Sequence, residues 1–222
     1  ETNVEWTGPL SPERGSLLRQ IVSWLPQKHQ ERLSGSTSDF QYADLRGATI
    51  KTGHLFSLNL RGSDFSNGDF RTTYFYGCEL DNANFDNAYM VAASFRRNVE
   101  EDTIAASPAT LIGASFRSAN LERASFRETN LTGAVFDDAS LVSTTFQGSY
   151  LEGTSFRGAD MSSTDLTGAI VSSENWLVQL SAQNPRPDID VDKWTLREIY
   201  VEWKDLWAQS YKAGRYWQVV QK

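Results

Sequence analysis

The stretch ASFRSANLERASFRETNLTGAVF, residues 114–136, carries Phe or Leu at every fifth position. Ala or Thr lies two residues before each large residue, and the remaining positions are mostly polar or Gly. An α-helix repeats every 3.6 residues and a strand every two, so neither element explains this spacing. The large residues are Phe116, Leu121, Phe126, Leu131 and Phe136.

The same period of five runs over most of the chain in two blocks. A large apolar residue recurs about twelve times from Phe40 to Phe95, and about twelve times more from Leu111 to Leu166. The phase breaks once, at residues 96–110, where a charge run and a proline interrupt the pattern. Coincidence cannot produce so many repeats, so this self-similarity decides the fold.

The repeats resemble those of the pentapeptide repeat family, whose unit is written A-(D/N)-L-x-x. The resemblance covers residues 38–171 and implies a mainly β fold, a right-handed quadrilateral β-helix in which four pentapeptides make one square coil. The unit appears here as ADLRG (43–47), ANFDN (83–87), ANLER (119–123), TNLTG (129–133) and ADMSS (159–163).

The physics of such a tube explains the pattern. The central Leu or Phe points to the axis, the small residue two positions earlier fits near the corner, and the other three positions face water. Coils stack at roughly 4.8 Å, so about six coils give a rod of roughly 29 Å. Because Phe and Leu alternate from Phe116 to Phe156, we expect Phe to face Phe across the tube and Leu to face Leu.

Both flanks of the repeats are predicted to be helical. Residues 11–25 begin with Ser11 as a candidate N-cap and Pro12 at the first helical position, and an apolar stripe follows. Residues 195–198, TLRE, read as the capping box of a second helix that runs to about Lys212. We expect the two helices to cover the open coil ends, which would otherwise aggregate.

These patterns divide the chain into three segments. The sequence predicts an N-terminal helical cap over 1–37 and a pentapeptide repeat β-helix over 38–172, with an insertion loop at about 97–110. A Pro- and Asp-rich linker and an aromatic C-terminal helical cap follow over 173–222.

Charge argues against direct binding of nucleic acid. The net charge is −7, and both flanks are neutral, so the whole excess lies on the repeats and the insertion. A nucleic-acid binder needs a basic face for the phosphates. No apolar run reaches the roughly 18–20 residues that span a bilayer, although the chain begins with Glu1 and an upstream anchor stays open.

The sequence predicts no catalytic, cofactor or metal site and hence no enzyme. His54 falls at an outward position of the repeat, and Cys78 takes the small inward slot. Asp and Asn recur one residue before the central position, where the repeat itself requires a short polar residue. Arg117, Asp137 and Arg157 lie twenty residues apart and are expected to form a column of charges on the surface.

Two features stand out as candidate partner-binding sites. One is the acidic insertion, which a repeat array places as a loop on one face. The other is the aromatic C-terminal segment, since surplus Tyr and Trp mark interfaces. The candidate residues are Glu100, Glu101, Asp102, Ile104, Tyr200, Trp203, Trp207, Tyr211 and Trp217.

We therefore predict a non-enzymatic scaffold that presents a rigid, mildly acidic rod to another protein. The resemblance leaves two alternatives: a DNA mimic that binds a DNA-handling enzyme such as gyrase, and a subunit or assembly factor of a membrane-associated complex. It also leaves a homodimer through the C-terminal helix open. The family abounds in cyanobacteria and other bacteria, which implies a soluble domain in the bacterial cytoplasm or in an extracytoplasmic or thylakoid-associated compartment.

Overall fold

The computed structural model describes residues 10–24, 39–96, 108–201 and 213–222. Its dominant feature is a square tube built from the repeats, with short elements at both ends. These elements are α1 (Pro12–Trp24), β1 (Ile170–Val171), α2 (Trp176–Ser181), a 3₁₀ turn (Val191–Lys193), β2 (Trp194–Val201) and β3 (Gly214–Gln221).

Parallel β-bridges join residues twenty positions apart, which confirms the predicted coil length. On one face the chain of bridges runs from Asp39 to Asn59, and so on coil by coil to Ile170. At the interruption the bridge joins Glu79 to Thr110, which is eleven residues more than the ordinary twenty. The phase break is therefore an insertion of eleven residues into one coil, and the stacking continues unchanged above it.

Each corner of the tube is a tight turn that starts at a central residue. At Leu121, for example, the carbonyl accepts the N–H of Ala124 at 2.9 Å. The residue between them, Arg123, has a φ of 59°, the left-handed conformation that the third residue of a type II turn requires. This geometry explains why Gly, Asn and Ser recur two residues after the central position.

Two ladders of phenylalanine rings fill the tube. We number its faces 1 to 4 by the central residues Leu111, Phe116, Leu121 and Phe126, so the ladders lie on the opposed faces 2 and 4. Within a ladder the rings are nearly parallel, with centroids 4.5 to 5.4 Å apart. Between the ladders they meet edge to face at 5.3 to 6.1 Å. The prediction that Phe faces Phe is confirmed.

The small inward slots also accept Thr, Ser and Cys without leaving an unpaired polar group. Thr144 Oγ1 donates to the carbonyl of Leu121 at 2.8 Å, and Thr154 Oγ1 donates to that of Leu131 at 3.0 Å. Each carbonyl belongs to the central residue of the coil below. These two hydroxyls therefore tie neighbouring coils together, while Thr129 Oγ1 donates to the carbonyl of Phe126 in its own coil, and each bond avoids the cost of a buried unsatisfied donor.

Helix α1 covers the first coil, as the sequence predicts for its N-terminal part. Ser11 Oγ accepts the N–H of Arg14 at 3.2 Å, which is the expected N-cap bond. Leu18 is fully buried, whereas the neighbouring Leu17 is 51 % exposed. Gly15 lies so close to the first coil that a Cβ would stand 2.0 Å from the carbonyl oxygen of Asp44.

Arginines of α1 satisfy the open carbonyl edge of the first coil. Arg14 Nη1 donates to the carbonyl of Gln41 at 2.6 Å, and Arg19 Nη2 donates to that of Asp44 at 3.1 Å. These carbonyls point away from the second coil and would otherwise face water or a second strand. The helix therefore blunts an edge that could template aggregation.

The predicted C-terminal helix is wrong over its described part. Residues 194–201 form strand β2, which pairs antiparallel with β3 from Trp194 opposite Gln221 to Val201 opposite Gly214. Thr, Ile, Tyr and Val favour a strand, and the last coil offers an unpaired strand edge. Strand β3 begins at Gly214, while residues 202–212 lie outside the described part of the chain.

The segment predicted as a Pro- and Asp-rich linker forms a cap over the last coil. The N–H of Gly158 donates to the carbonyl of Pro185 at 2.8 Å, and Asp188 N–H donates to that of Ala159 at 2.8 Å. Gln183 Oε1 accepts the N–H of Phe156 at 2.7 Å. The backbone of this segment therefore continues the stacking of the coils.

Strand β3 completes the cap at the diagonally opposite corner. The N–H of Gly168 donates to the carbonyl of Val219 at 2.7 Å, and Val219 N–H donates to that of Ala169 at 2.8 Å. Beyond this corner β3 pairs with β1. Trp176 of α2 and Trp194 of β2 are buried in the same core as the phenylalanine ladders.

The inward and outward positions predict opposite sensitivities to mutation. Phe126 is fully buried between ladder neighbours, whereas Arg127 next to it is exposed. Phe126→Ala should lower the free energy of unfolding by about 3–5 kcal/mol, and Arg127→Ala by under about 0.5 kcal/mol. Urea denaturation of both variants tests this, and equal losses would contradict the five-residue frame.

Candidate interaction surfaces

The recurrent Asp and Asn side chains serve the corners of the tube. Asp160 Oδ1 accepts the N–H of Ser162 at 3.0 Å, and Asp165 Oδ1 accepts that of Thr167 at 2.9 Å. A carboxylate that accepts the amide two residues ahead stabilises the turn. Among the described residues, no group of His, Cys, Asp and Glu could hold a metal ion.

Cys78 and Asn130 are core residues. Burial raises the pKa of the Cys78 thiol to about 12, and its Sγ contacts the carbonyl oxygen of Leu55 at 3.0 Å. A thiol with so high a pKa is a poor nucleophile. Asn130 formally begins a glycosylation sequon, NLT, but its side chain is fully buried.

The predicted charge column on face 2 contains one strong ion pair. Arg157 Nη2 lies 2.7 Å and its Nε 3.1 Å from Asp137 Oδ2, a two-pronged contact. Burial raises the pKa of the Asp137 carboxyl, but hydrogen bonds from Ser155 and Arg157 outweigh it, so the pKa lies below its ordinary value. Arg117 instead donates its backbone N–H to Asp86 Oδ1 at 2.9 Å.

The insertion leaves and rejoins the tube at the corner between faces 4 and 1, here called corner 4–1. Ala109 N–H donates to the carbonyl of Phe95 at 3.0 Å, the same bond that closes an uninterrupted corner. The eleven added residues thus enter the chain at a corner whose closing hydrogen bond is otherwise normal. The acidic candidates Glu100, Glu101 and Asp102, with Ile104, lie outside the described residues.

An aromatic column on the outside of face 4 leads up to the insertion. Phe56 stacks on Tyr76 at 5.5 Å, and the Arg96 guanidinium lies 5.9 Å from the Tyr76 ring centroid. The Phe56 and Tyr76 side chains are almost completely buried although the repeat frame points them outward. His54, predicted to be a surface histidine, packs beside them, 4.8 Å from Tyr74.

The C-terminal aromatic candidates divide between the described hairpin and the residues outside it. Tyr200 on β2 is 67 % exposed, and the half-buried Trp217 on β3 packs against the core. Both side chains lie on one face of the hairpin, since Tyr200 is opposite Arg215 and Trp217 is opposite Glu198. Trp203, Trp207 and Tyr211 fall within the undescribed segment between the strands.

The end of the insertion and strand β3 of the hairpin lie at the same corner of the rod. Ala109 at the end of the insertion and Ala169 below β3 both occupy the small slot of corner 4–1. Bridges from Thr110 to Asn130, Tyr150 and Ile170 connect the two places along face 1. Three coil steps of roughly 4.8 Å separate them by about 14 Å.

Sequence reasoning missed the aromatic column and the strand edge of the hairpin. The column could have been found by aligning outward positions twenty residues apart. In such an alignment the aromatic residues Tyr74 and Tyr76 fall at the positions that correspond to His54 and Phe56. Strand β2 carries Thr, Ile, Tyr and Val, which signals a strand, but Leu196 and Ile199 also fit helical spacing.

These coils define the protein as a β-solenoid, a class whose members display surfaces rather than enclose pockets. A family model described as pentapeptide repeats matches residues 55–97, 109–148 and 134–172 in eight copies. The chain is a member of the pentapeptide repeat family, and its fold is a mainly β, right-handed β-helix.

The chain is also similar over part of its length to solved structures of other proteins. One from the Arabidopsis thaliana thylakoid lumen is 22 % identical, with a TM-score of 0.34, covering 62 % of this chain and 73 % of its own. QnrB1 (trypsin-treated), a plasmid-mediated fluoroquinolone resistance protein, is 22 % identical, with a TM-score of 0.26 and coverages of 56 % and 65 %. HetL, from the cyanobacterium Nostoc sp. strain PCC 7120 and involved in heterocyst differentiation regulation, is 21 % identical, with a TM-score of 0.20 and coverages of 61 % and 84 %.

No curated protein matches the chain. In the described part of the chain, none of the helices has the length and apolar composition that a membrane crossing requires.

The Asp137 ion pair predicts a pH-dependent loss of stability. Because the folded-state pKa of Asp137 is lowered, its contribution is present at neutral pH and disappears as the pH falls below about 3.8. Asp137→Asn should cost about 1–3 kcal/mol at pH 7, and this cost should shrink in acid. Asp138→Asn, at the exposed neighbouring position, is the control and should cost under about 0.5 kcal/mol. Urea denaturation at pH 7 and pH 3 measures both, and a cost for Asp137→Asn that does not change with pH would contradict the ion-pair account.

Proposed function

We propose that the protein is a non-enzymatic scaffold that binds another protein along corner 4–1. The observation that carries the proposal is the placement of the insertion and the C-terminal hairpin on this one corner. Elsewhere in the described repeats the coils follow one another without interruption. The insertion and the hairpin are the two departures from a regular tube, and both lie at corner 4–1. Their shared position favours a single binding surface there.

The interior of the rod supports a surface role. The central positions and the small slots are filled, and the two phenylalanine ladders leave the axis of the tube occupied by rings. A ligand would therefore have to bind on the outside. The stacked coils hold Ala109, where the insertion ends, and Ala169, which bonds to β3, at a fixed separation, as preorganised recognition requires.

The chemistry of corner 4–1 indicates the kind of partner. The insertion contributes three acidic residues, Glu100, Glu101 and Asp102, and the hairpin offers the exposed ring of Tyr200. A partner with a basic patch next to an apolar pocket would match both. Charges of this kind steer the encounter, while a buried aromatic side chain supplies most of the binding energy.

The DNA-mimic alternative is less well supported, because ion pairs break up the negative field of the rod. Asp69 lies 2.8 Å from Arg71 Nη2 and 3.0 Å from Lys51 Nζ, and Asp137 is paired with Arg157. DNA carries one charge per roughly 1.7 Å of axis, so a rod of about 29 Å would need about 17 charges. The whole chain has a net charge of −7.

Deleting residues 98–108 tests the proposed surface. The deletion joins Arg97 to Ala109 and restores the uninterrupted pentapeptide frame, so the tube should stay folded. Partner proteins that the undeleted chain recovers from its native source should bind the deletion variant at least tenfold more weakly or not at all. The control is Tyr89→Ala, since Tyr89 is 59 % exposed on face 3, opposite face 1.

If the deletion variant keeps full binding of the partner and the Tyr89→Ala variant loses it, the binding surface lies on another face and the proposal is overturned. A gyrase supercoiling assay with and without a quinolone separates the alternative. Dose-dependent rescue of gyrase by the protein would establish the mimic instead, and we expect no rescue.

A further inference from the structure

Among the residues that the structure describes, the stack of strands on face 1 ends in an open edge. The sheet at the top of the rod has the order β1-β3-β2, so β3 lies between the tube and β2. In the described part of the chain, β2 pairs with β3 on one side and with no strand on the other. The eight residues of β2 therefore form the last rung of the solenoid.

The hydrogen bonds of Val219 show which backbone groups of β2 point outward. Val219 uses both its N–H and its C=O toward the tube, so in β3 the even-numbered residues face β2. Their cross-strand partners are Thr195, Arg197, Ile199 and Val201. The intervening residues Leu196, Glu198 and Tyr200 consequently direct their N–H and C=O groups away from β3.

The open edge lacks the devices that usually protect one. Natural edge strands carry Pro, bulges or charged side chains that repel a further strand. Strand β2 contains no Pro and pairs with β3 without a bulge. Its charges point toward β3, since Arg197 Nη2 donates to Gln218 Oε1 at 2.5 Å and Glu198 Oε1 lies 3.5 Å from Arg215 Nε.

We propose that an extended, uncharged peptide segment of a partner protein adds to this edge as a further strand. Its backbone pairs with the outward groups of Leu196, Glu198 and Tyr200, and its side chains alternate between the two faces of the hairpin. Apolar residues of the segment contact Ile199 on one face and the exposed ring of Tyr200 on the other. This inference rests on the proposed function and names the class of ligand for the hairpin end of corner 4–1.

The size of the edge favours a peptide over a second copy of this chain. Eight strand residues span about 26 Å, and a single added strand covers only a few hundred Å² of that edge. Stable dimers of folded proteins bury about 800 Å² per partner. An extended segment needs no such area, because main-chain hydrogen bonds supply much of its affinity.

Proline substitution on β2 tests the edge without breaking the hairpin. The N–H of Glu198 points outward, so Glu198→Pro removes a group that β3 does not use, and Pro is tolerated on such edges. Glu198→Ala is the matched control, because both variants lose the ion pair with Arg215. The probe is a set of linear peptides selected from a random display library on the immobilised full-length chain.

Selected peptides should bind the wild type and Glu198→Ala equally and should bind Glu198→Pro at least about tenfold more weakly. Unchanged binding to a folded Glu198→Pro would overturn the proposal, as would a selection that enriches no peptide. A concentration-dependent doubling of mass that Glu198→Pro abolishes would also overturn it and assign the edge to a second copy.

Hydrogen exchange on the wild type keeps the test decisive if the proline variant does not fold. In the free protein, the amides of Glu198 and Tyr200 should exchange faster than those of Arg197 and Ile199, and bound peptide should slow the first two. Exchange that peptide leaves unchanged at these amides would refute the proposal. Partner recovery that depends on residues 98–108 but not on Glu198→Pro would refute it and leave the proposed function standing.

Discussion

The stacking of phenylalanine rings at a separation of twenty residues is the interaction on which this structure depends. Rings within a ladder lie nearly parallel, as between Phe116 and Phe136 at 4.8 Å, and the two ladders meet edge to face. Offset stacking and edge-to-face contacts are the favoured arrangements of aromatic rings. Each ring therefore fixes the register of its neighbours, and the backbone bridges follow that register. The outside of the rod is free to vary because none of these contacts uses it.

A stack of this kind must end, and its two ends are closed in different ways. Arg14 and Arg19 of α1 satisfy the carbonyls of the first coil. At the other end, backbone from residues 183–188 and β3 continues the hydrogen bonding and leaves the open edge on β2. The C-terminal cap thus moves the unpaired strand edge from the last coil to β2 without removing it. This is the physical reason to look for a ligand at the C-terminal end.

The sequence was most informative at positions where the residue type allows only one orientation of the side chain. Leu and Phe at every fifth position have to point inward, so the coils, the ladders and the site of the insertion could all be predicted. The C-terminal strand could not, because Leu196 and Ile199 satisfy helical spacing as well as a strand. Its structure is decided by the edge of the last coil, a tertiary partner that no local pattern contains. The outward column of Phe56 and Tyr76 was not predicted either, because the repeat places no restriction on outward residues.

A composition-conserving swap tests the ladder account most directly. Phe126→Leu combined with Leu131→Phe moves one ring from face 4 to face 1, where it would meet leucines. The account predicts a loss of about 2–4 kcal/mol in the free energy of unfolding, from one cavity and one overpacked site. The control swap, Leu121→Met with Met161→Leu, stays within face 3 and should cost under about 1.5 kcal/mol. Equal costs in urea denaturation would show that the tube needs only apolar residues at its centre, and would contradict the claim that the ladders fix its register.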